Sequence, residues 1–184
     1  MKLYVLGNIL KSDAKAIAVV GSRQMTPRGK SLTQKYVRSL VKAGYTIVSG
    51  LARGIDTVAH ETALSACGRT IAVLGSGIDI IYPQENKNLV AKIARQGAVV
   101  SGFAKGTKPL AANFLARNKI VAGLSRAVLV VEGARRSGTL STASHAANAG
   151  IDVFAIPGSE ATDWLIDQGA ISVTKPKEIL DSLV

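Results

Sequence analysis

The stretch AIAVVGSRQMTP, Ala16 to Pro27, decides how the rest of the chain is read. Ala16–Val20 is an apolar run without alternation, the pattern of a strand covered on both faces. Gly21-Ser22-Arg23 is a turn. Thr26 then offers a capping oxygen, and Pro27 suits the first helical turn, where its missing N–H has no partner to lose. Leu32, Tyr36, Val37, Leu40 and Val41 recur at helical spacing, and Gly44 ends that helix. Lys30, Lys35, Arg38 and Lys42 fall on its other face and read as solvated charge.

The same strand–turn–helix unit recurs outward. Tyr45–Val48 predicts a strand, Ser49–Gly54 a glycine-bearing turn and Ile55–Ala66 a helix. Thr70–Leu74 is the next strand, Gly75–Asp79 its turn and Asn86–Gln96 its helix. Ala98–Val100 is a short strand, Asn113–Leu124 a helix and Ala127–Val131 a strand. Glu132–Gly138 turns into a helix over Thr139–Ala149, followed by a strand at Val153–Ile156. Short helices are expected near Ala161–Gln168 and after Pro176. Continuous apolar strands alternating with helices predict a parallel sheet covered by helices on both faces. With no sustained repeat, low-complexity run or linker, the reading is a single domain over residues 1–184.

Composition removes whole classes of function. An apolar fraction of 47% is too high for a disordered tail. Cys67 is the only cysteine, so there is no disulfide framework within the chain. No uncharged apolar run reaches the roughly 18 residues of a membrane span. The opening, Met1 to Leu10, lacks the long apolar core of a signal peptide and meets Lys11, Asp13 and Lys15 at once. A cytoplasmic location and no membrane partner follow as expectations. The net charge is +11, of which +8 lies in residues 1–60. A lopsided basic chain points to a polyanion partner. Aromatics make up only 4%, so phosphates rather than stacked bases should dominate the contacts.

In an open parallel sheet, ligands bind beyond the carboxyl ends of the strands. Four turns expected there combine glycine, hydroxyl and basic residues: Gly21-Ser22-Arg23, Ser49-Gly50-Leu51-Ala52-Arg53-Gly54, Gly75-Ser76-Gly77 and Gly133-Ala134-Arg135-Arg136-Ser137-Gly138-Thr139. Glycine lets an anion approach the backbone, and a helix N-terminus offers unpaired amides and partial positive charge. Arg23, Arg53, Arg135 and Arg136 add charge-assisted donors. None of the turns is a P-loop, and Ile80 stands where a dinucleotide fingerprint needs its third glycine, so no cofactor is expected.

Catalytic constellations are thin. With one cysteine and two histidines no zinc cluster can be assembled from the usual spacing, and no metal is expected. His60 follows Asp56 by four residues and reads as a helix-surface hydrogen bond steadying the neighbouring turn. His145 reads as structural, and Glu132 as pairing with an arginine or bonding backbone amides. Cys67 reads as packing and Trp164 as a core or interface anchor.

In order along the chain stand Val20-Gly21-Ser22-Arg23, Val48-Ser49-Gly50-Leu51-Ala52-Arg53-Gly54-Ile55-Asp56 and Thr70-Ile71-Ala72-Val73-Leu74-Gly75-Ser76-Gly77-Ile78-Asp79 with Tyr82-Pro83. Asn113-Phe114, Arg117-Asn118, Val130-Val131-Glu132, Arg136-Ser137-Gly138-Thr139-Leu140 and Val153-Phe154-Ala155-Ile156-Pro157-Gly158 follow. Each is weak alone; together and in this order they resemble the DNA-processing protein A (DprA/Smf) family over roughly residues 15 to 159. The resemblance implies an α/β, three-layer Rossmann-like fold with a mostly parallel sheet flanked by helices. It implies a single-stranded DNA-binding protein that dimerises and helps load the RecA recombinase in DNA uptake, with no catalytic activity, cofactor or metal. Carried over by position, Gly21, Ser22 and Arg23 hold a phosphate. Gly50, Arg53, Gly54, Arg136, Ser137, Gly138 and Thr139 line the pocket. Phe114 stacks on a base, with Arg117, Asn118 and Lys119 nearby.

The chain also departs from the family pattern. Members often carry a small helical domain before this core and a winged helix after it, and 184 residues leave room for neither. Lys119 stands where arginine is common, Gly102 where glutamate is frequent, and the loop across Glu160–Trp164 looks short. Two alternatives use the same pocket: a nucleotide-phosphoribohydrolase-like (lysine-decarboxylase-like) enzyme and a nucleotide-binding sensor. The first wants a carboxylate shortly after Thr139, and this sequence has none there.

Overall fold

The computed structural model describes residues 2–183. Eight strands form one sheet: β1 Tyr4–Gly7, β2 Ala16–Val20, β3 Thr46–Ser49, β4 Thr70–Leu74, β5 Ala98–Ser101, β6 Ala127–Val130, β7 Asp152–Ala155 and β8 Ile171–Ser172. Their order is β1-β5-β4-β3-β2-β6-β7-β8, with every pair parallel except β1 against β5. The described residues include seven α-helices: α1 Pro27–Lys42, α2 Ile55–Ser65, α3 Lys87–Gln96, α4 Ala111–Gly123, α5 Gly138–Asn148, α6 Glu160–Asp167 and α7 Pro176–Ser182. No helix among the described residues is long and apolar enough to cross a membrane.

The doubly covered strands explain the unbroken apolar runs. Alternate residues of β2 go to opposite faces. Ala16, Ala18 and Val20 join a core with α4, α5 and α6, including Val121, Ala146 and Leu165. Ile17 and Val19 join a second core with α1, α2 and α7, including Tyr36, Leu40, Ala59 and Ile179. A third cluster packs Leu89, Val90 and Ile93 of α3 under β4 and β5. The expected strand Tyr45–Val48 is shifted by one residue, and β1 and β8 do not stand out in the sequence at all. Both are short edge strands, and Val5 and Leu6 on β1 remain 46% and 47% exposed, so no burial pattern marks them.

The topology itself places the site. From β2 the chain builds outward through β3, β4 and β5, then returns to lay β6 on the other side of β2. The loops after β2 and β6 therefore leave the sheet side by side and in opposite directions, opening a crevice at their carboxyl ends.

Candidate functional site

A cleft of about 770 Å³ opens at that switch point. Ten of the fourteen residues singled out from the sequence line it: Gly21, Ser22, Arg23, Gly50, Phe114, Arg117, Asn118, Ser137, Gly138 and Thr139. Arg53, Gly54, Lys119 and Arg136 are not among its lining residues. Three of the four glycine turns meet here. The fourth, Gly75-Ser76-Gly77, is spent on structure: Ser76 Oγ donates to the Ile80 carbonyl and the Gly77 amide to Thr107. Its Gly75 backbone supports Phe114, since a methyl there would lie 2.7 Å from the ring.

Four helices, α1, α2, α4 and α5, begin near the cleft, and their N-termini differ in what they can still bind. At α1 the position is taken by a carboxylate. Glu132, 5% exposed, accepts the Thr26 amide and hydroxyl at 2.7 Å each, while Thr26 Oγ1 accepts the Gly29 amide. Glu132 thus bonds a backbone amide and, among the described residues, pairs with no arginine, so it takes one of the two roles its position suggested. At α2 the Ile55 amide donates to the Ser22 carbonyl and the Ala52 amide to Asp56. The α5 start is open. Its Gly138 and Thr139 amides have no acceptor among the described residues, and the buried Ser137 hydroxyl has no partner either. Asn118 holds this helix end in place by donating to the Gly138 carbonyl at 3.1 Å. Two free amides at one helix N-terminus can donate to an anion.

The arginines divide by environment. Arg23 is exposed, has no carboxylate partner among the described residues, and lies 5.3 Å from the centre of the Phe114 ring. Arg53 is tied to both carboxylate oxygens of Glu85, which raises its pKa and directs it away from the cleft. Arg135 and Arg136 are exposed on the loop after β6, outside the lining. The expected rim of four arginines therefore reduces to Arg23, because ion pairing and loop direction carry the others outward.

Arg117 is a second guanidinium of a different kind. It is 3% exposed, donates from Nη1 to the Val73 carbonyl at 2.9 Å and lies 5.9 Å from the Phe114 ring. Burial pulls its pKa down to about 10, opposed by the attraction of Asp56, so it stays cationic at neutral pH. Asp56 in turn is pushed above the ordinary carboxylate range by burial, against the pull of Arg117. A methyl at Gly50 would sit 1.6 Å from Arg117 Nη1, so glycine is required there by the guanidinium beneath it.

Other candidates fall outside the cleft. His60 is not on a helix surface: it is fully buried on α2. The Thr70 hydroxyl donates to the Ile47 carbonyl, so it can only accept from His60 Nδ1, 2.7 Å away; Nε2 has no partner among the described residues. Burial, with the Arg117 charge adding to it, lowers the imidazole pKa to about 3 and keeps it neutral. Cys67 is not packed but exposed, at φ +56° beyond the C-terminus of α2. Trp164 is half-buried against the core, and His145 half-buried on α5. No group of three His, Cys, Asp or Glu among the described residues is placed to hold a metal ion. Tyr82 also lines the cleft without having been given a role; it is 39% exposed, with its ring 5.6 Å from Phe114 and inclined at 51°. Its sequence signal was Tyr82-Pro83 among the stretches that match the family, with no site role attached.

The model of the family described as DNA recombination-mediator protein A matches residues 1–184. A protein named Smf from Escherichia coli strain K12 is 48% identical over 98% of this chain and 50% of its own length. A DNA processing protein DprA from Streptococcus pneumoniae is 43% identical over 97% of this chain and 65% of its own. The chain thus spans about half to two-thirds of these curated relatives. A crystal structure of the pneumococcal protein superposes with a TM-score of 0.90 at 42% identity, covering 97% of this chain and 65% of that one. A structure of DNA processing protein A from Helicobacter pylori, described by its single-stranded DNA binding mode, gives a TM-score of 0.89 at 32% identity, covering 98% and 86%. A molybdenum cofactor binding protein from Rippkaea orientalis, at 20% identity and TM-score 0.68, covers 91% of this chain and 94% of its own and shares the fold alone.

Proposed function

The chain belongs to the DNA recombination-mediator protein A family, and from that premise we propose that its cleft captures single-stranded DNA by the sugar–phosphate backbone. The observation that carries this reading is the open N-terminus of α5. Its two unbonded amides belong to residues that line the same cleft as the unpaired Arg23. A phosphate seated there meets backbone amides and a guanidinium without displacing any protein contact at α5. Arg117 adds a buried positive charge at the floor. Donors of this kind read no base edge, so affinity is weakly dependent on sequence and falls steeply with salt.

The protein acts as a binding module rather than a catalyst in this reading. Asp56, the acidic residue in the described lining, already accepts the Ala52 amide and feels the attraction of the Arg117 charge. The place of action is the cytoplasm. The family description supports a further step, handover of the strand to a recombinase of the RecA type. Homodimerisation would set two clefts on one strand, and linked sites raise avidity without new contacts.

The deciding experiment titrates labelled single- and double-stranded oligonucleotides at two salt concentrations, with AMP as competitor. Tight, salt-sensitive binding of the single strand, undisturbed by AMP, is expected. Preference for AMP, with release of adenine, would replace this reading with a nucleotide-processing one.

A further inference from the structure

We infer that the outer face of α1 is a second phosphate-tracking surface, along which a single strand held in the cleft continues toward the opposite end of the sheet. This rests on the reading of the cleft as a single-stranded DNA site.

The helix α1 carries five basic residues, Arg28, Lys30, Lys35, Arg38 and Lys42, and no acidic one. All five are exposed. At 3.6 residues per turn, Arg28, Lys35, Arg38 and Lys42 fall within about 80° of arc, away from the face that buries Tyr36, Val37 and Leu40 in the core. They form a stripe about 21 Å long. Among the described residues none of them meets a carboxylate: the ion pairs are Arg53–Glu85 and Arg69–Asp13. The helix α7 packs against α1, but its Glu178 carboxylate accepts the Thr174 and Lys175 amides.

Helix stability does not account for the stripe. A cation in the first turn opposes the helix dipole, and Arg28 stands there with no acidic residue beside it. Lys35 and Arg38 are three apart and Arg38 and Lys42 four apart, the spacings at which like charges destabilise a helix. Of the four, Lys42 in the last turn is the one the dipole favours. A face of one sign, kept against these local costs, is complementary to a partner of the other sign.

Both ends of the stripe lead somewhere. Ser22, Arg23 and Gln24 line the cleft, and Thr26 caps α1, so the loop that borders the cleft runs directly into the helix. Arg28 Nη2 donates to the Pro157 carbonyl at 2.7 Å, which steadies the guanidinium and uses one of its five N–H groups. At the far end Arg38 and Lys42 line a hollow of about 410 Å³ with Tyr45 and Arg69. Because α1 carries the chain from the end of β2 to the start of β3, the stripe runs from the carboxyl ends of the strands to their amino ends. Lysine and arginine heads on an open helix face grip phosphates and read no base edge, so this surface continues the sequence-tolerant hold of the cleft.

The test measures binding of oligo-dT from about 4 to about 16 nucleotides, the range of single-strand footprints on small binding folds. The wild-type chain is compared with a triple variant, Lys35→Gln, Arg38→Gln and Lys42→Gln, and with a charge-matched control on α3, Lys87→Gln, Lys92→Gln and Arg95→Gln. On the shortest strands the α1 variant should match the wild type. On the longest, three lost phosphate contacts should lower the slope of log K against log salt by roughly 2, so that a fourfold rise in salt weakens the wild type about 18-fold more than the variant. The α3 control should follow the wild type at every length, and all three proteins should melt at the same temperature. An equal deficit at all lengths, no deficit on the longest strand, or the same deficit in the α3 control would overturn the path. So would an α1-dependent hold on duplex DNA without one on the long single strand. If the wild type binds no single strand at any length, the reading of the cleft falls and the path falls with it.

Discussion

Replacing Arg23 with alanine isolates the one guanidinium that the cleft leaves unpaired. Arg23 is exposed and has no hydrogen bond to lose, so the fold should be untouched and any effect should appear in binding. A hydrogen bond to a charged group contributes roughly 1.5–3 kcal/mol. Against this, binding withdraws Arg23 from its cation–π contact with Phe114, worth about 0.5–1 kcal/mol at an exposed site. The expected net loss is about 1–2 kcal/mol, roughly five- to thirtyfold in Kd. Each phosphate contact contributes about 0.7 to the salt slope for a single strand, so a fourfold rise in salt should shrink the deficit by roughly 2.6-fold. The assay is fluorescence anisotropy with oligo-dT, oligo-dA and a mixed sequence at about 50 and 200 mM salt, beside a thermal melt of each protein. A loss of similar size on all three sequences, narrowing with salt at unchanged Tm, is expected. Unchanged affinity, or a deficit confined to one sequence, would refute the assignment of Arg23 to the backbone.

Gly50→Ala should destabilise the protein by about 2–5 kcal/mol in a urea titration, by overpacking and by driving Arg117 off the Val73 carbonyl. Glu132→Ala removes both bonds that close the start of α1 and should cost about 1–3 kcal/mol. A methyl at Gly29 would lie 2.2 Å from that carboxylate, so Gly29→Ala should be harmful alone and largely harmless beside Glu132→Ala, giving a coupling above about 1 kcal/mol in a double-mutant cycle. His60 is held neutral down to about pH 3 by burial. Between the ordinary histidine pKa near 6.5 and that value, the unfolded chain binds a proton that the folded chain refuses, so stability falls as pH falls through this window. Two pH units below the ordinary value the loss should be about 3 kcal/mol. His60→Leu should flatten that part of the pH–stability curve, and an unchanged slope would show that another group carries it.

The sequence alone determined the alternation of strands and helices, because a strand covered on both faces must be apolar at every position, as Ala16–Val20 and Thr70–Leu74 are. It also determined the glycine turns at the strand ends, because closely approached backbone tolerates no side chain. Thr26 and Pro27 marked the start of α1 for equally local reasons. The edge strands β1 and β8 were not legible, since an edge takes its partner from a distant segment and leaves no repeating pattern of its own. The functional roles of the arginines were not legible either. Arg23, Arg53, Arg117 and Arg136 carry the same group, and tertiary structure alone left the first in the cleft, paired the second with Glu85, buried the third over Val73 and held the fourth outside. The same holds for the helix starts. Glu132 is 106 residues from Thr26 in the chain, and only folding brings that carboxylate onto α1 while leaving the amides of α5 free. A charge or an open amide takes its meaning from what lies within a few ångströms of it, and those neighbours come from elsewhere in the chain.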